Sequence, residues 1–352
     1  MPSTSIDTFF ACTIIVAVVL IATAFLCSTM QTSINNTQNI NKDSYLQAIA
    51  DNIITNPGAP ANWGSSSIIP TDFGLATTSS TTPYELDIDK ITRLNSLNNC
   101  SLSYLDMESA AKLNNIALGI TVSQVMTINI QQTSSSTIGN DSSFTFAILT
   151  SIDSEPTSAS LSCCVVANNY LSYMANSTSN VGSGSLAIQI PSTATNNALL
   201  IVFARASFDD RITSYAVYNF LNSMQESFPS NNILTLTPLN HILSFATNST
   251  DLTIQNGYVF TYSYTYTYQA NLTLGQGTPQ FLIPTIIDPS PYVVVLCGFD
   301  NGTYLQEWTS YPQVPLTAGS SFEGSEQNVF GYVVTINGVL YKVDVSFGDV
   351  VS

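Results

Sequence analysis

"GYVFTYSYTYTYQANLTLG", residues 257–275, alternates more strictly than any other stretch of the chain. Tyr258, Phe260, Tyr262, Tyr264, Tyr266 and Tyr268 take the even positions, and Val259, Thr261, Ser263, Thr265, Thr267 and Gln269 the odd ones. A period of two marks a β-strand, because successive side chains point to opposite faces of a sheet. One continuous strand would therefore carry all the phenols on one face. Burying a phenol without a hydrogen-bond partner costs about 1–3 kcal/mol, so a row of them is hard to place in a dry core. Five rings are also too much apolar area to leave wholly wet. The even face is expected either to pack at a sheet boundary with hydroxyls at the rim, or to meet a partner or glycan through Tyr262, Tyr264, Tyr266 and Tyr268.

Similar alternating or apolar runs, separated by Ser/Asn/Gly/Pro turns, fill the chain from Ile120 onward. "ITVSQVMTINIQQ", "SFTFAILTSI", "ASLSCCVVANNYL", "GSLAIQIPS" and "NALLIVFARAS" predict a first sandwich over 120–212. "NILTLTP", "HILSFAT", the tyrosine strand, "PYVVVLCGF", "NGTYLQEW" and "NVFGYVVTINGVLYKVDVSF" predict a second over 213–352. Asn337-Gly338 between alternating runs is a type I′ hairpin signal. "RITSYAVYNFLNSMQESF" fits strand or helix equally. The expected fold class is mainly β, with immunoglobulin-like antiparallel sandwiches.

The first third reads differently. "FFACTIIVAVVLIATAFLCSTM", residues 9–30, carries no charge. At about 1.5 Å per residue it matches a hydrocarbon core of about 30 Å, which predicts a transmembrane anchor over 1–31 contacting membrane lipid. A cleaved signal peptide ending at Ala22-Thr23-Ala24 is the rival, but no Lys or Arg precedes the run and the apolar residues continue past that site. Residues 32–119 read as a helical stalk. Ser44 and Gln47 have capping-box spacing, Leu46, Ile49 and Ile53 form a stripe, and Pro57-Gly58 stops the helix. "DIDKITRLNSL" places Ile88, Ile91 and Leu94 on one helical face. "SYLDMESAAKLNNIALG" predicts a third helix ending at Gly119.

Asp7 ahead of a long apolar helix that runs into a polar one, followed by "NPGAPANWG", "DFGLA" and "LDIDKITRLN", resembles archaeal type IV pilin-like membrane proteins over roughly residues 5–120. That resemblance implies a membrane-anchored, externally displayed β domain.

Composition narrows the function. The 352 residues include 7 Lys+Arg against 23 Asp+Glu, a net charge of −16, too few cations to neutralise a nucleic-acid backbone. Charged residues make up 9%, against about 25% in ordinary soluble proteins, and Ser, Thr and Asn supply the polarity instead. Asn-x-Ser/Thr triplets begin at Asn35, Asn99, Asn140, Asn176, Asn248, Asn271 and Asn301, all beyond the apolar run, and are candidate glycosylation sites of an exported chain.

Catalytic motifs are absent from the sequence. His241 is the single histidine, placed before an apolar run where a structural role is expected. No nucleophile elbow, metalloprotease motif or P-loop occurs. Asp209-Asp210 and Asp300-Asn301-Gly302 lack ordered cation-ligand spacing and read as turns. Six cysteines form no C-x-x-C. Cys100, Cys163, Cys164 and Cys297 lie outside the apolar run; adjacent Cys163 and Cys164 point to opposite faces, so at most one is expected to face the core. One disulfide among these four, or buried free thiols, are both open. The function expected is a membrane-anchored structural or adhesive surface protein, pilin-like, partnered with itself or other surface proteins, without cofactor or enzymatic activity. A glycan- or solute-binding ectodomain is the first rival, and an extracytoplasmic hydrolase the second.

Overall fold

No Pro or Gly occurs between Pro2 and Pro57, so nothing in that stretch interrupts a helix once it has begun. The computed structural model shows the consequence: helix α1 runs unbroken over Ser3–Thr55. Ser44 is therefore mid-helix rather than the expected N-cap. The structure describes residues 3–78, 82–113, 116–138, 141–194, 197–221, 234–247, 249–273, 280–320, 322 and 327–349, without the side chains of 3–12, 15, 32–41, 138, 221, 268–273 and 349. Residues Met1–Asp51 and Asn52–Ser352 form two compact units.

In the first unit, Thr13, Ile14 and residues 16–30 of the apolar run are exposed, and positions 9–12 and 15 lie outside the described side chains. Among the described residues no helix is long and apolar enough to cross a membrane.

Pro57-Gly58 ends α1 within the second unit. Asn56 Oδ1 accepts from the Gly58 N–H at 2.9 Å, and Gly58 takes φ +75, a conformation that favours glycine. A two-residue strand β1 (Glu85–Leu86) precedes α2 (Ile88–Arg93), whose N-cap Asp87 accepts from the N–H groups of Asp89 and Lys90. α3 (Tyr104–Ala111) is capped by Ser103 and ends at Lys112 in the left-handed region. It therefore stops well short of Gly119. The apolar "IALGITV" that follows belongs to a strand instead.

The segments "NPGAPANWG", "DFGLA" and "LDIDKITRLN" meet around Trp63. Its Nε1 donates to Gly74 O at 3.0 Å. Lys90, fully buried, donates through Nζ to Pro57 O (2.7 Å) and Ala76 O (2.6 Å). Arg93, also buried, donates to Cys100 O (2.9 Å), Ile68 O (2.8 Å) and Trp63 O. Both cations lie within 6 Å of the Trp63 ring, at 5.8 and 5.4 Å. Carbonyl oxygens and a π-face make the direct contacts to these charges, and the carboxylates of Asp87 and Asp106 act on Lys90 and Arg93 at longer range. A Cβ on Gly74 would stand 2.2 Å from Asn56 O, so only glycine fits there.

The first set of strands comprises β2 (Ile116–Gln124), β3 (Met126–Ile138), β4 (Asp141–Ile152), β5 (Glu155–Pro156), β6 (Ala159–Ala167), β7 (Tyr170–Ser177), β8 (Ser183–Pro191), β9 (Asn197–Ala206) and β10 (Thr213–Leu221). The second comprises β11 (Leu234–Leu239), β12 (Ile242–Thr247), β13 (Leu252–Phe260), β14 (Thr265–Thr273), β15 (Gln280–Leu282), β16 (Tyr292–Asp300), β17 (Thr303–Tyr311), β18 (Leu316–Gly319), β19 (Gln327–Ile336) and β20 (Val339–Asp349). The undecided "RITSYAVYNFLNSMQESF" is strand as far as Leu221; its remainder lies outside the described residues.

β3, β4 and β8, with β5, make sheet I; sheet II is β10-β9-β6-β7, sheet III β14-β13-β16-β17 and sheet IV β11-β12-β15. Sheet V, β1-β19-β20-β2-β18, joins strands from both ends of the unit. Its β19–β20 hairpin turns at Asn337 (φ +49) and Gly338 (φ +80), as a type I′ turn requires. β10 pairs with β9 across 212/213, β2 itself runs across 119/120, and β2 pairs with β20.

Three core layers order the first four sheets. Phe144, Phe146 and Ile188 of sheet I pack on Cys163, Val165 and Leu200 of sheet II. The reverse face of sheet II, with Cys164, Leu199 and Ile201, packs on Val293, Val295 and Cys297 of sheet III. The reverse face of sheet III, with Val259, Val294 and Leu296, packs on Leu236, Leu243 and Phe245 of sheet IV. Two sandwiches thus stand back to back, with sheets II and III covered on both sides. Both neighbouring cysteines are consequently buried, correcting the expectation that at most one would face a core.

Candidate functional site

The tyrosine stretch is a hairpin rather than one strand. Thr261 to Tyr264 reverse the chain: the Thr261 N–H and hydroxyl donate to Tyr264 O (2.9 and 3.1 Å), and the Tyr264 N–H donates to Thr261 Oγ1 (2.9 Å). Phe260 then faces Thr265, Val259 faces Tyr266 and Tyr258 faces Thr267. An even-length loop pairs even with odd positions, so the phenols divide between the two faces of sheet III. Tyr258 stacks on Phe260 (5.8 Å, 27°) in the layer against sheet II, and burial pushes its hydroxyl up to about 12. Tyr266 packs on the layer against sheet IV.

Tyr262 is held inside the unit. The Arg205 guanidinium lies 3.9 Å above its ring, donates through Nη2 to Asp288 Oδ2 (2.9 Å) and Pro289 O (2.7 Å), and through Nε to Thr213 Oγ1 (3.0 Å). Ser263 also donates to Asp288 Oδ2, at 2.6 Å. This clamp ties β9 of the first sandwich to the hairpin of the second. Tyr264 remains 52% exposed, and the Tyr268 side chain lies outside the described residues.

The sequons differ in accessibility. Asn99 and Asn301 are exposed in turns, Asn301 at φ +49 in the two-residue link between β16 and β17. Asn176 is exposed on β7, but its Nδ2 donates to Ser185 O at 2.6 Å. Asn140 and Asn248, and the side chains of Asn35 and Asn271, lie outside the described residues. Cys100, Cys163, Cys164 and Cys297 are free thiols, so the structure contains no disulfide among them. Burial pushes Cys163, Cys164 and Cys297 up to about 12, which leaves them protonated and unreactive.

His241 occupies the β11–β12 turn at φ +57, edge-on to Tyr311 (5.4 Å, 85°) and Tyr292 (6.1 Å, 89°). Asp89 accepts from the Tyr311 hydroxyl (2.6 Å) and the Asn240 N–H (2.9 Å), which fastens α2 to this turn. Burial raises the Asp89 carboxyl above its usual range despite those hydrogen bonds. Asp209 is paired with Arg211 (2.8 Å) in a turn. Among the described residues no group of three or more His, Cys, Asp or Glu could hold a metal.

A cleft of about 290 Å³ opens between β11 and β17, lined by Leu97, Leu234, Leu236, Glu307, Trp308 and Gln313 among others. On β17, Leu305 and Tyr311 face sheet IV whereas Tyr304 and Trp308 face sheet II. The two-residue period places Glu307 on the sheet IV side, in the row of Leu305 and Tyr311. Desolvation raises its carboxyl to about 7. Gln313 is fully engaged: Nε2 donates to Leu236 O (3.3 Å) and Thr309 Oγ1 (3.0 Å), and Oε1 accepts from Asn98 Nδ2. No motif marks this site, although the alternation of "TYLQEWTSY" places Glu307 in one row with Leu305, Thr309 and Tyr311.

No family model matches the chain, and no curated protein matches it. Among solved structures, HBP35 of Porphyromonas gingivalis is 13% identical over 53% of this chain and 63% of its own, with a TM-score of 0.20. A two fibronectin type-III domain segment from chicken tenascin is 6% identical over 54% of this chain and 98% of its own (TM-score 0.19). The chicken CNTN1 FN1-FN3 domains are 10% identical over 51% and 64% (TM-score 0.18). Scores this low carry no argument, and the β-sandwich assignment rests on the sheets and core layers above.

Proposed function

We propose that the chain is a membrane-anchored, externally displayed structural or adhesive protein, with α1 as the anchor and the β unit as the displayed body. One observation carries this reading. Ile14, Val16, Val18, Val19, Leu20, Ile21, Phe25, Leu26 and Met30 are each more than half exposed, and they occupy every side of α1 rather than a stripe. A helix that is apolar all round belongs in lipid or in a helix bundle. The uncharged run 9–30 includes positions 9–12 and 15, whose side chains lie outside the described residues; as a helix the whole run would reach about 33 Å at 1.5 Å per residue, against a bilayer core of about 30 Å. Low charge, abundant hydroxyl and amide side chains, and exposed sequons at Asn99 and Asn301 support display outside the cell. A long apolar helix continuing into a β body is also the arrangement of the pilin-like proteins that the first third resembles, and self-assembly through α1 is the corresponding proposal.

Alkaline extraction of membranes containing the full-length chain tests the reading. Retention in the pellet until detergent is added is expected; release by carbonate would overturn it. A second reading, a solute-binding module, is favoured by the cleft beside Glu307.

A further inference from the structure

We propose that the cleft between β11 and β17 is a binding site for a small organic cation, a primary ammonium on an apolar stem, with Glu307 as its charge partner. This inference does not depend on membrane anchoring. β11 and β17 each stand at the end of their sheet's strand order, so the cleft lies where two sheet edges part. Within it the polar groups are unequally satisfied. Gln313 spends both ends of its amide on neighbours, and Thr309 accepts one of those bonds. Glu307 has no hydrogen-bond or ion-pair partner among the described residues, and loss of water is the sole influence found on its carboxyl.

That imbalance selects the ligand. A half-buried carboxylate accepts hydrogen bonds and attracts positive charge, and a charge-assisted bond is about twice as strong as a neutral one. Besides Glu307 the polar lining is Thr235, Trp308, Thr309 and the engaged Gln313, so Glu307 is the one charged group a ligand meets there. An anion would meet Glu307 without any compensating cation, since among the described residues no Lys, Arg or His lines the cleft. Leu97, Leu234 and Leu236 provide apolar wall for an alkyl or aryl stem. A volume of about 290 Å³ sits at the lower end for small-molecule sites, which fits a ligand of few heavy atoms. The net charge of −16 draws cations towards the surface as a whole.

The test is calorimetric titration of the full-length chain in a non-ionic detergent with n-butylammonium, and with n-butanol as its neutral counterpart. At a pH about one unit above the Glu307 value, butylammonium is expected to bind at least about tenfold more tightly than butanol. Moving to about pH 5.5 protonates the carboxyl and should weaken the ammonium by at least about tenfold while leaving butanol unchanged. Glu307→Gln should abolish the preference for the charged ligand. Equal affinities for the two probes, a pH-independent ammonium affinity, or no saturable binding of either would overturn the proposal. The pH arm uses the unaltered chain, so the test stands even if the variant fails to fold.

Discussion

Glu307→Gln should change how stability depends on pH, and the size of the change follows from where the carboxyl sits. Desolvation holds the folded-state value at about 7, against an ordinary value of 4.5. Below the ordinary value the group is protonated in both states and the folded protein carries no penalty. Between the two values the unfolded chain releases its proton while the folded one keeps it, so stability falls as pH rises. Above about 7 the loss is complete. The gap of about 2.5 units, at 1.36 kcal/mol each, sets a ceiling of roughly 3 kcal/mol. Because the side chain is only partly buried, solvent screening reduces this to about 1–2 kcal/mol. Glutamine is nearly isosteric and cannot ionise, so the variant should lack this slope. Urea unfolding at several pH values between about 4.5 and 8, followed by the fluorescence of Trp63 and Trp308, measures both profiles. The wild type minus variant difference should become less favourable to the wild type by that amount as pH rises. Parallel profiles would refute the reasoning, because they would mean that Glu307 ionises in the folded state as it does in water.

Four further outcomes are expected. Trp63→Ala should cost about 3–5 kcal/mol in urea unfolding, the usual loss for a buried aromatic, since Trp63 also covers Lys90 and Arg93; a loss under about 1 kcal/mol would contradict the packing described. Gly74→Ala should prevent accumulation of folded protein, with its Cβ 2.2 Å from Asn56 O, whereas Gly302→Ala meets open space and should cost only about 1 kcal/mol of backbone strain. Tyr264→Ser should leave the thermal midpoint nearly unchanged, while Tyr262→Ser, which removes the ring under Arg205, should lower stability by about 1–2 kcal/mol; equal effects would argue against the clamp. Cys163, Cys164 and Cys297 should resist a thiol-alkylating reagent at neutral pH until the chain is unfolded, as counted by mass spectrometry.

Strand content was legible because it is written locally. Asn337-Gly338 specified its turn, and the apolar runs specified their strands. The layer order was present but easily passed over. "NALLIVFARA" and "YVVVLCGFD" lack alternation because β9 and β16 lie in the two inner sheets, buried on both faces. The burial of both Cys163 and Cys164 follows from the same arrangement. The tyrosine stretch misled because its alternation continues through Thr261–Tyr264, whose reversal depends on hydrogen bonds between Thr261 and Tyr264 rather than on a Gly or Pro. Sheet V was illegible for another reason: β2 and β20 are separated by most of the chain, and no local pattern announces that pairing. Glu307 could have been placed on its face by counting, but its cleft depends on Leu97, Leu234 and Leu236, brought together only by the fold.

Protease treatment of intact cells, followed by fractionation and mass spectrometry of the full-length chain, tests most directly whether the protein is anchored and displayed. The account predicts that the chain sediments with membranes, that peptides from residues 52–352 are released from intact cells, and that the apolar run 9–30 stays with the membrane. Recovery of the whole chain in the soluble fraction of lysed cells, or a β unit protected until lysis, would contradict it.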